Sequence, residues 1–130
     1  MLEYLNIKNL VVVEELNIDF NLGMTVITGE TGAGKSILVQ ALSIVSGGRS
    51  DASLVRNGAA KAEITASFNI HSNLKIKSYL ESQDLDSDLE CILRRIIVSD
   101  GKSRSYVNGR KVPLSVLSNI GSYLIDMHGQ

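Results

Sequence analysis

The sequence has no tryptophan, one proline and one cysteine, and only 5% of its residues are aromatic. A lone cysteine, Cys91, excludes an internal disulfide framework and fits a reducing compartment. It reads as a small buried hydrophobe. No apolar run approaches the roughly 20 residues that a membrane-spanning helix needs. The opening stretch "MLEYLNIKN" puts acidic and polar residues where a secretory signal would be basic and then apolar. A cytoplasmic protein is therefore expected. Excess charge is also missing: 13 Lys and Arg stand against 14 Asp and Glu, a net charge of −1. Nothing global argues for nucleic acid or an anionic membrane. What remains is 130 residues, 44% of them hydrophobic, enough for one folded domain with a modest core. There is no internal repeat and no low-complexity linker.

The pattern along the chain predicts an α/β domain. "LEYLNIK" (2–8) and "ELNIDF" (15–20) are strand-like, and "MTVIT" (24–28) has the form of a short buried strand. From Lys35 to Ser46 the apolar residues fall at helical spacing, and Gly47-Gly48 stops the run. "AEITASFNI" (62–70) alternates most clearly, with Ala62, Ile64, Ala66, Phe68 and Ile70 on one face. A short helix is expected over 74–83. Strands follow at 91–99, 103–107 and 110–112, joined by turns at Asp100-Gly101 and Asn108-Gly109. "PLSVLSNIG" (113–121) reads as a helix with proline at its start and glycine at its end. "SYLIDM" (122–127) reads as a closing strand. The sum is a mixed sheet with an antiparallel subregion and one strand–loop–helix unit embedded in it.

Residues 29–36, "GETGAGKS", fit G-x-x-x-x-G-K-[ST] at every position. A polyphosphate needs several backbone N–H groups converging on one concavity. Gly29, Gly32 and Gly34 permit the backbone angles and the close approach, and Glu30, Thr31 and Ala33 complete the loop. The following helix offers unpaired N–H groups and the positive end of its dipole. In this chemistry Lys35 reaches the β- and γ-phosphates and the Ser36 hydroxyl ligates Mg²⁺. A buried-type strand before the loop and an apolar helix after it give the motif its required context.

The remaining candidates are weaker. Hydrolysis also needs an acid at the end of a second strand, and the sequence offers only Asp126, which reads better as an ordinary polar residue. "VSGGRS" (45–50) has the letters of an ABC-type signature. That signature works at a helix N-terminus, however, and these glycines follow a helix. His71 and His128 read as structural or solvent-facing, without metal-ligand spacing. Residues 81–90 are acidic, whereas 91–112 carry Arg94, Arg95, Lys102, Arg104, Arg110 and Lys111. Such a basic hairpin with Tyr106 suits a nucleic-acid backbone, but a solvated sheet face answering its acidic neighbour is the better reading. Alternation puts Arg94 and Arg95 on opposite faces.

"IKNLVVVEELNIDFNLGMTVITGETGAGKSILVQALSIVSGGRS", with "LVRNGAAKAEITASF", "RRIIVSDGKSRSYVNGRKVPLSVL" and "DMHGQ", resembles the start of the RecN family, SMC-like members of the ABC ATPase superfamily. The resemblance covers essentially the whole chain. Glu30-Thr31 sets it apart from the Pro-Asn or Glu-Asn of many SMC relatives. It implies a P-loop NTPase head of ABC/SMC type, of which residues 1–130 would be the N-terminal lobe, from Walker A to the Q-loop. Coiled coil, signature, Walker B and catalytic glutamate would come from a part of the protein beyond this chain, a fragment or a truncated gene product. The resemblance also implies ATP with Mg²⁺ as cofactors and DNA double-strand break repair and recombination as the process. A second head would join on ATP-driven dimerisation, DNA would bind the complete protein, and the protein would associate with the nucleoid during repair. By position, Gln130 becomes the Q-loop residue contacting Mg²⁺ and the attacking water. Arg56, in "LVRNGA", resembles an arginine that couples ATP to head engagement. The closing strand would lie near a free edge, and the lobe alone would bind nucleotide weakly or not at all, with negligible hydrolysis. Two alternatives remain open: a small P-loop kinase acting on a metabolite, and a non-enzymatic remnant that only pairs with a partner lobe.

Overall fold

A computed structural model describes residues 2–20 and 31–128; for 31–35 and 125–128 it describes the backbone alone. Among the described residues six strands form one sheet in the order β2-β1-β3-β4-β5-β6. They are β1 (Leu2–Leu10), β2 (Val13–Asp19), β3 (Lys61–Asn69), β4 (Glu90–Val98), β5 (Ser103–Val107) and β6 (Arg110–Val112). Every pairing among them is antiparallel. The antiparallel subregion is thus the whole of the described sheet. The strand expected at 24–28, which would make the sheet mixed, lies outside the described residues.

The period-two patterns fix the sheet's two faces. One cross-strand row of the inner face runs Ile18, Leu5, Ala66, Leu93 and Val107, and all five are buried. The next row contains Ile7, Ile64, Arg95 and Ser105. Three helices cover this face: α1 (Thr31–Val45), α2 (Leu74–Ser82) and α3 (Leu114–His128). Helix α1 lies against β3 and β4, α3 against β5, and α2 against α3. In that last contact the Tyr79 and Tyr123 rings sit 5.7 Å apart in a tilted pair, while Asn119 Nδ2 donates to Tyr79 Oη.

Turn chemistry sets the registers. Asn108 and Gly109 have φ of 49° and 83°, the two left-handed residues of a type I′ hairpin turn. The Asn108 side chain also accepts from Ile92 N–H at 2.8 Å and donates to the Leu85 carbonyl at 2.7 Å. It therefore ties the acidic stretch, whose Leu85 is buried, to β4 and the β5–β6 turn. Asn73 opens α2 by accepting from Ile76 N–H, a capping bond.

The last expected strand is wrong. Residues 122–127 continue α3, which runs unbroken from Leu114 to His128. Gly121 does not end the helix, and Asp126 stands on a helix instead of at a strand end. Leu117, Ile120, Gly121 and Leu124 are buried, the i, i+3, i+4, i+7 stripe of a helix on a core. The expected free edge from a closing strand disappears with it. Helix α1 also begins earlier than expected, at Thr31, and ends at Val45.

Cys91 is fully buried on the inner face. Desolvation pushes its thiol from 9.0 up to about 12. A native chain at pH 8 should leave this thiol unlabelled by a thiol-reactive disulfide reagent and release one equivalent on denaturation. Because the folded thiol titrates above the unfolded one, stability should fall as pH rises through the interval from 9.0 to about 12, and urea midpoints across that range check it. A native thiol that reacts at once would show that β4 is not packed as described.

Candidate phosphate-binding site

The expected phosphate-loop residues divide at the start of α1. Gly29 and Glu30 lie outside the described residues, as does Gln130. Thr31, Gly32, Ala33, Gly34 and Lys35 form the first turns of α1, and Ser36 follows them, exposed on the helix. The last six residues of the motif therefore occupy the N-terminal end of a 15-residue helix. The first N–H groups of a helix have no intrahelical partner, and its dipole is positive there. That end can hold an anion. Ile37, Ala41, Ile44 and Val45 bury the opposite stripe of α1 in the core, so the helix is fixed against the sheet that carries it.

The far end of α1 is held more tightly than the sequence suggested. Gly47, at φ 105°, and Gly48 stop the helix as expected. Gly48 N–H donates to the Ser43 carbonyl and Gly47 N–H to that of Ile44, the pattern of a Schellman end. Into this end reaches Arg95, which is only 2% exposed. Its Nη1 donates to the Ile44 carbonyl at 2.8 Å and to Gly48 at 2.6 Å, and its Nη2 to Ser50 Oγ at 3.0 Å and Ser103 Oγ at 3.4 Å. Burial draws the guanidinium's pKa below its ordinary value, but arginine stays charged. A cation at the negative end of a helix dipole is favourable. Arg95 is therefore no part of a solvated basic face. The signal was present: Arg95 shares the parity of Cys91, Leu93 and Ile97, all buried.

Arg94 does point the other way. It forms an ion pair with Glu63 at 2.6 Å and lies 4.9 Å over the Tyr106 ring. Arg56 is half-buried in a segment that follows a 3₁₀ turn, Ala52–Leu54, capped by Asp51. Its N–H donates to the Asn9 carbonyl and Val11 N–H to that of Leu54, which docks the segment on the β1–β2 turn. Hydrogen bonds from Ser53 lower the Asp51 carboxyl below the usual range. The described backbone holds Arg56 on the β1–β2 side, whereas Arg95 and the C-terminal end of α1 sit over β4. Asp126 and His128 belong to α3, and His71 is exposed.

Among known families, the one described as AAA domain matches residues 4–124. The chain is 49% identical, over its full length, to the DNA repair protein RecN of Vibrio cholerae serotype O1, and covers 24% of that relative. It is 47% identical over its full length to the RecN of Xylella fastidiosa strain 9a5c, covering 23%. The chain thus spans about a quarter of the length of the curated relatives it matches. The resemblance to the RecN family read from the residues is borne out. Among solved structures, a chain described under ATP-driven dimerization and DNA-stimulated activation of SMC ATPases aligns with a TM-score of 0.71 and 25% identity. That alignment covers 95% of this chain and 79% of the other. The P-loop ATPase head fold of SMC type is the fold of this chain. No described helix is long and apolar enough to cross a membrane.

Proposed function

The chain belongs to the AAA domain family, and from that membership we propose that it is the ATP-binding N-terminal lobe of a RecN-like ATPase acting in DNA double-strand break repair and recombination. The observation that supports this most is the placing of Thr31–Ser36 at the N-terminal end of α1, with the other end of that helix clamped to the sheet by Arg95.

The residues fit a nucleoside triphosphate with Mg²⁺. A helix N-terminus supplies free N–H donors, Ser36 is exposed there, and a lysine precedes it. Gly29, Glu30, Thr31, Gly32, Ala33 and Gly34 would wrap the phosphates with backbone N–H groups. Lys35 would neutralise the β- and γ-phosphates and the Ser36 hydroxyl would ligate Mg²⁺. Gln130 would orient the attacking water and touch the metal, and Arg56 would report the bound nucleotide to an engaged second head. When bound, ATP supplies the γ-phosphoryl group for transfer to water. The partner lobe of the same ATPase would bring the signature, the Walker B acid and the catalytic glutamate. The setting would be the cytoplasm, at the nucleoid during repair.

Calorimetric titration of the 130-residue chain with ATP and Mg²⁺ tests the lobe. Weak binding is expected, without measurable turnover. Lys35→Ala should weaken it at least about tenfold, the loss of one charge-assisted contact. Binding that ignores the substitution would remove the phosphate-loop assignment.

A further inference from the structure

Two Asn-Gly steps occur in the chain, Asn57-Gly58 and Asn108-Gly109, and every other asparagine precedes Ile or Leu. The distinction is chemical. A backbone nitrogen can attack the side-chain carbonyl of the preceding asparagine only where its own residue leaves room, and glycine leaves the most. The fold treats the two steps differently. The Asn108 amide is held at both ends: Oδ1 accepts from Ile92 N–H and Nδ2 donates to the Leu85 carbonyl. Asn57 and Gly58 are exposed. Among the described residues, neither the Asn57 side chain nor the Gly58 N–H has a hydrogen-bond partner. They are the central pair of a turn that Ala59 N–H closes on the Arg56 carbonyl at 2.9 Å. Gly58 has φ 89° and Asn57 lies outside the left-handed region, which makes the turn type II. A Cβ on Gly58 would meet nothing within 4 Å, so the reacting atoms have open space.

We propose that Asn57 is the reactive asparagine of this chain, a deamidation site that needs no enzyme. The Gly58 nitrogen gives its proton to solvent base and attacks Asn57 Cγ. The N–Cγ bond forms, the Cγ–Nδ2 bond breaks, and ammonia leaves. Water then opens the cyclic imide. Opening at Cγ gives aspartate; opening at the main-chain carbonyl carbon gives isoaspartate, with the chain rerouted through Cβ and Cγ. One water is consumed and one ammonia released, with no redox change. The one Asp-Gly step, Asp100-Gly101, is tied down instead. Its carboxylate accepts from Lys102 N–H at 2.9 Å, and Gly101 N–H donates to the Val98 carbonyl at 2.8 Å. The position of the product matters. Arg56 is the sole charge in residues 52–60, so a carboxylate at position 57 leaves that segment without net charge. Isoaspartate also lengthens the backbone just after the Arg56 N–H that docks the segment on the Asn9 carbonyl. The chemistry is independent of the ATPase reading.

Ageing the 130-residue chain at mildly alkaline pH, natively and in guanidinium chloride, tests this by ion exchange and peptide mass mapping. In the native chain one more acidic species should grow in, faster as pH rises, and map to the peptide containing Asn57. Enzymatic methyl labelling reads the isoaspartate there. Asn57→Gln, at an exposed turn position, should abolish that species, and a thermal melt checks that the variant folds. Deamidation of Asn108 should be at least about tenfold slower in the native chain than in denaturant, because it must wait for local opening. Asn57 should react at nearly the same rate in both. Modification of Asn108 ahead of Asn57 in the native chain would overturn the proposal. So would an acidic species that survives Asn57→Gln, or folding that protects Asn57 as strongly as Asn108.

Discussion

Arg95→Met should lower the stability of this chain by about 3 kcal/mol, roughly a 10 °C fall in Tm. Two effects compete. Methionine relieves the desolvation of a buried guanidinium, whose Nε–H has no partner among the described residues, and such replacements are sometimes stabilising. Against this stand four hydrogen bonds, two of them to the Ile44 and Gly48 carbonyls at the end of α1. Bonds to a charged donor contribute about 1.5–3 kcal/mol each, and methionine leaves the Gly48 carbonyl without that donor. The guanidinium also sits at the negative end of the α1 dipole. We expect the lost bonds to outweigh the relief. Arg95→Lys should recover only part of the loss, because an ammonium is one nitrogen, whereas the guanidinium holds both carbonyls with Nη1 and reaches Ser50 and Ser103 with Nη2. Urea denaturation of the three proteins decides it. An Arg95→Met chain as stable as the original would mean that the α1 end does not depend on this clamp.

Gly121→Ala should destabilise by about 2 kcal/mol, opposite to what helix propensity predicts. In an exposed helix the same change would stabilise by about 1 kcal/mol. Here a Cβ would lie 2.2 Å from the Ser46 carbonyl oxygen and 2.7 Å from Ser46 Cβ. The contact is reciprocal: a Cβ on Gly47 would meet Ser118 Oγ at 2.4 Å. Glycines on α3 and at the end of α1 thus let the two helix backbones approach, each against the other's serine. Overpacking of this kind costs about 1–3 kcal/mol and must push α3 away from α1. Gly121→Val should cost more. A stabilised Gly121→Ala variant would show that the two elements are farther apart than described.

The sequence carried the sheet well where one face is buried. The 62–70 alternation puts the buried residues of β3, which runs Lys61–Asn69, on the expected face, and Asn108-Gly109 supplies the two positive-φ positions of the β5–β6 turn. It misled at 122–127 for a physical reason. Six apolar-rich residues have no decisive period, and Gly121 looks like a helix stop unless one knows that Ser46 passes beside it. Only the tertiary contact distinguishes a stop glycine from a packing glycine. Arg95 was hidden similarly. Its parity placed it inward, but charge argued for solvent, and its carbonyl partners lie about fifty positions earlier at the end of α1. The phosphate motif is a pattern of residue types in a required order, so it stands out without the fold; its role is the one proposed above.

On the function proposed above, this chain is one half of an ATPase site, with the end of its phosphate motif on a helix clamped at its other end by Arg95. The most direct measurement is ATP turnover after mixing the chain with a separately produced complementary lobe of the same ATPase. Neither part alone should turn over ATP, whereas the mixture should, with turnover abolished by Lys35→Ala and reduced by Gln130→Ala. ATP hydrolysis by the isolated chain, or transfer of its γ-phosphoryl group to a small acceptor without the second lobe, would contradict it.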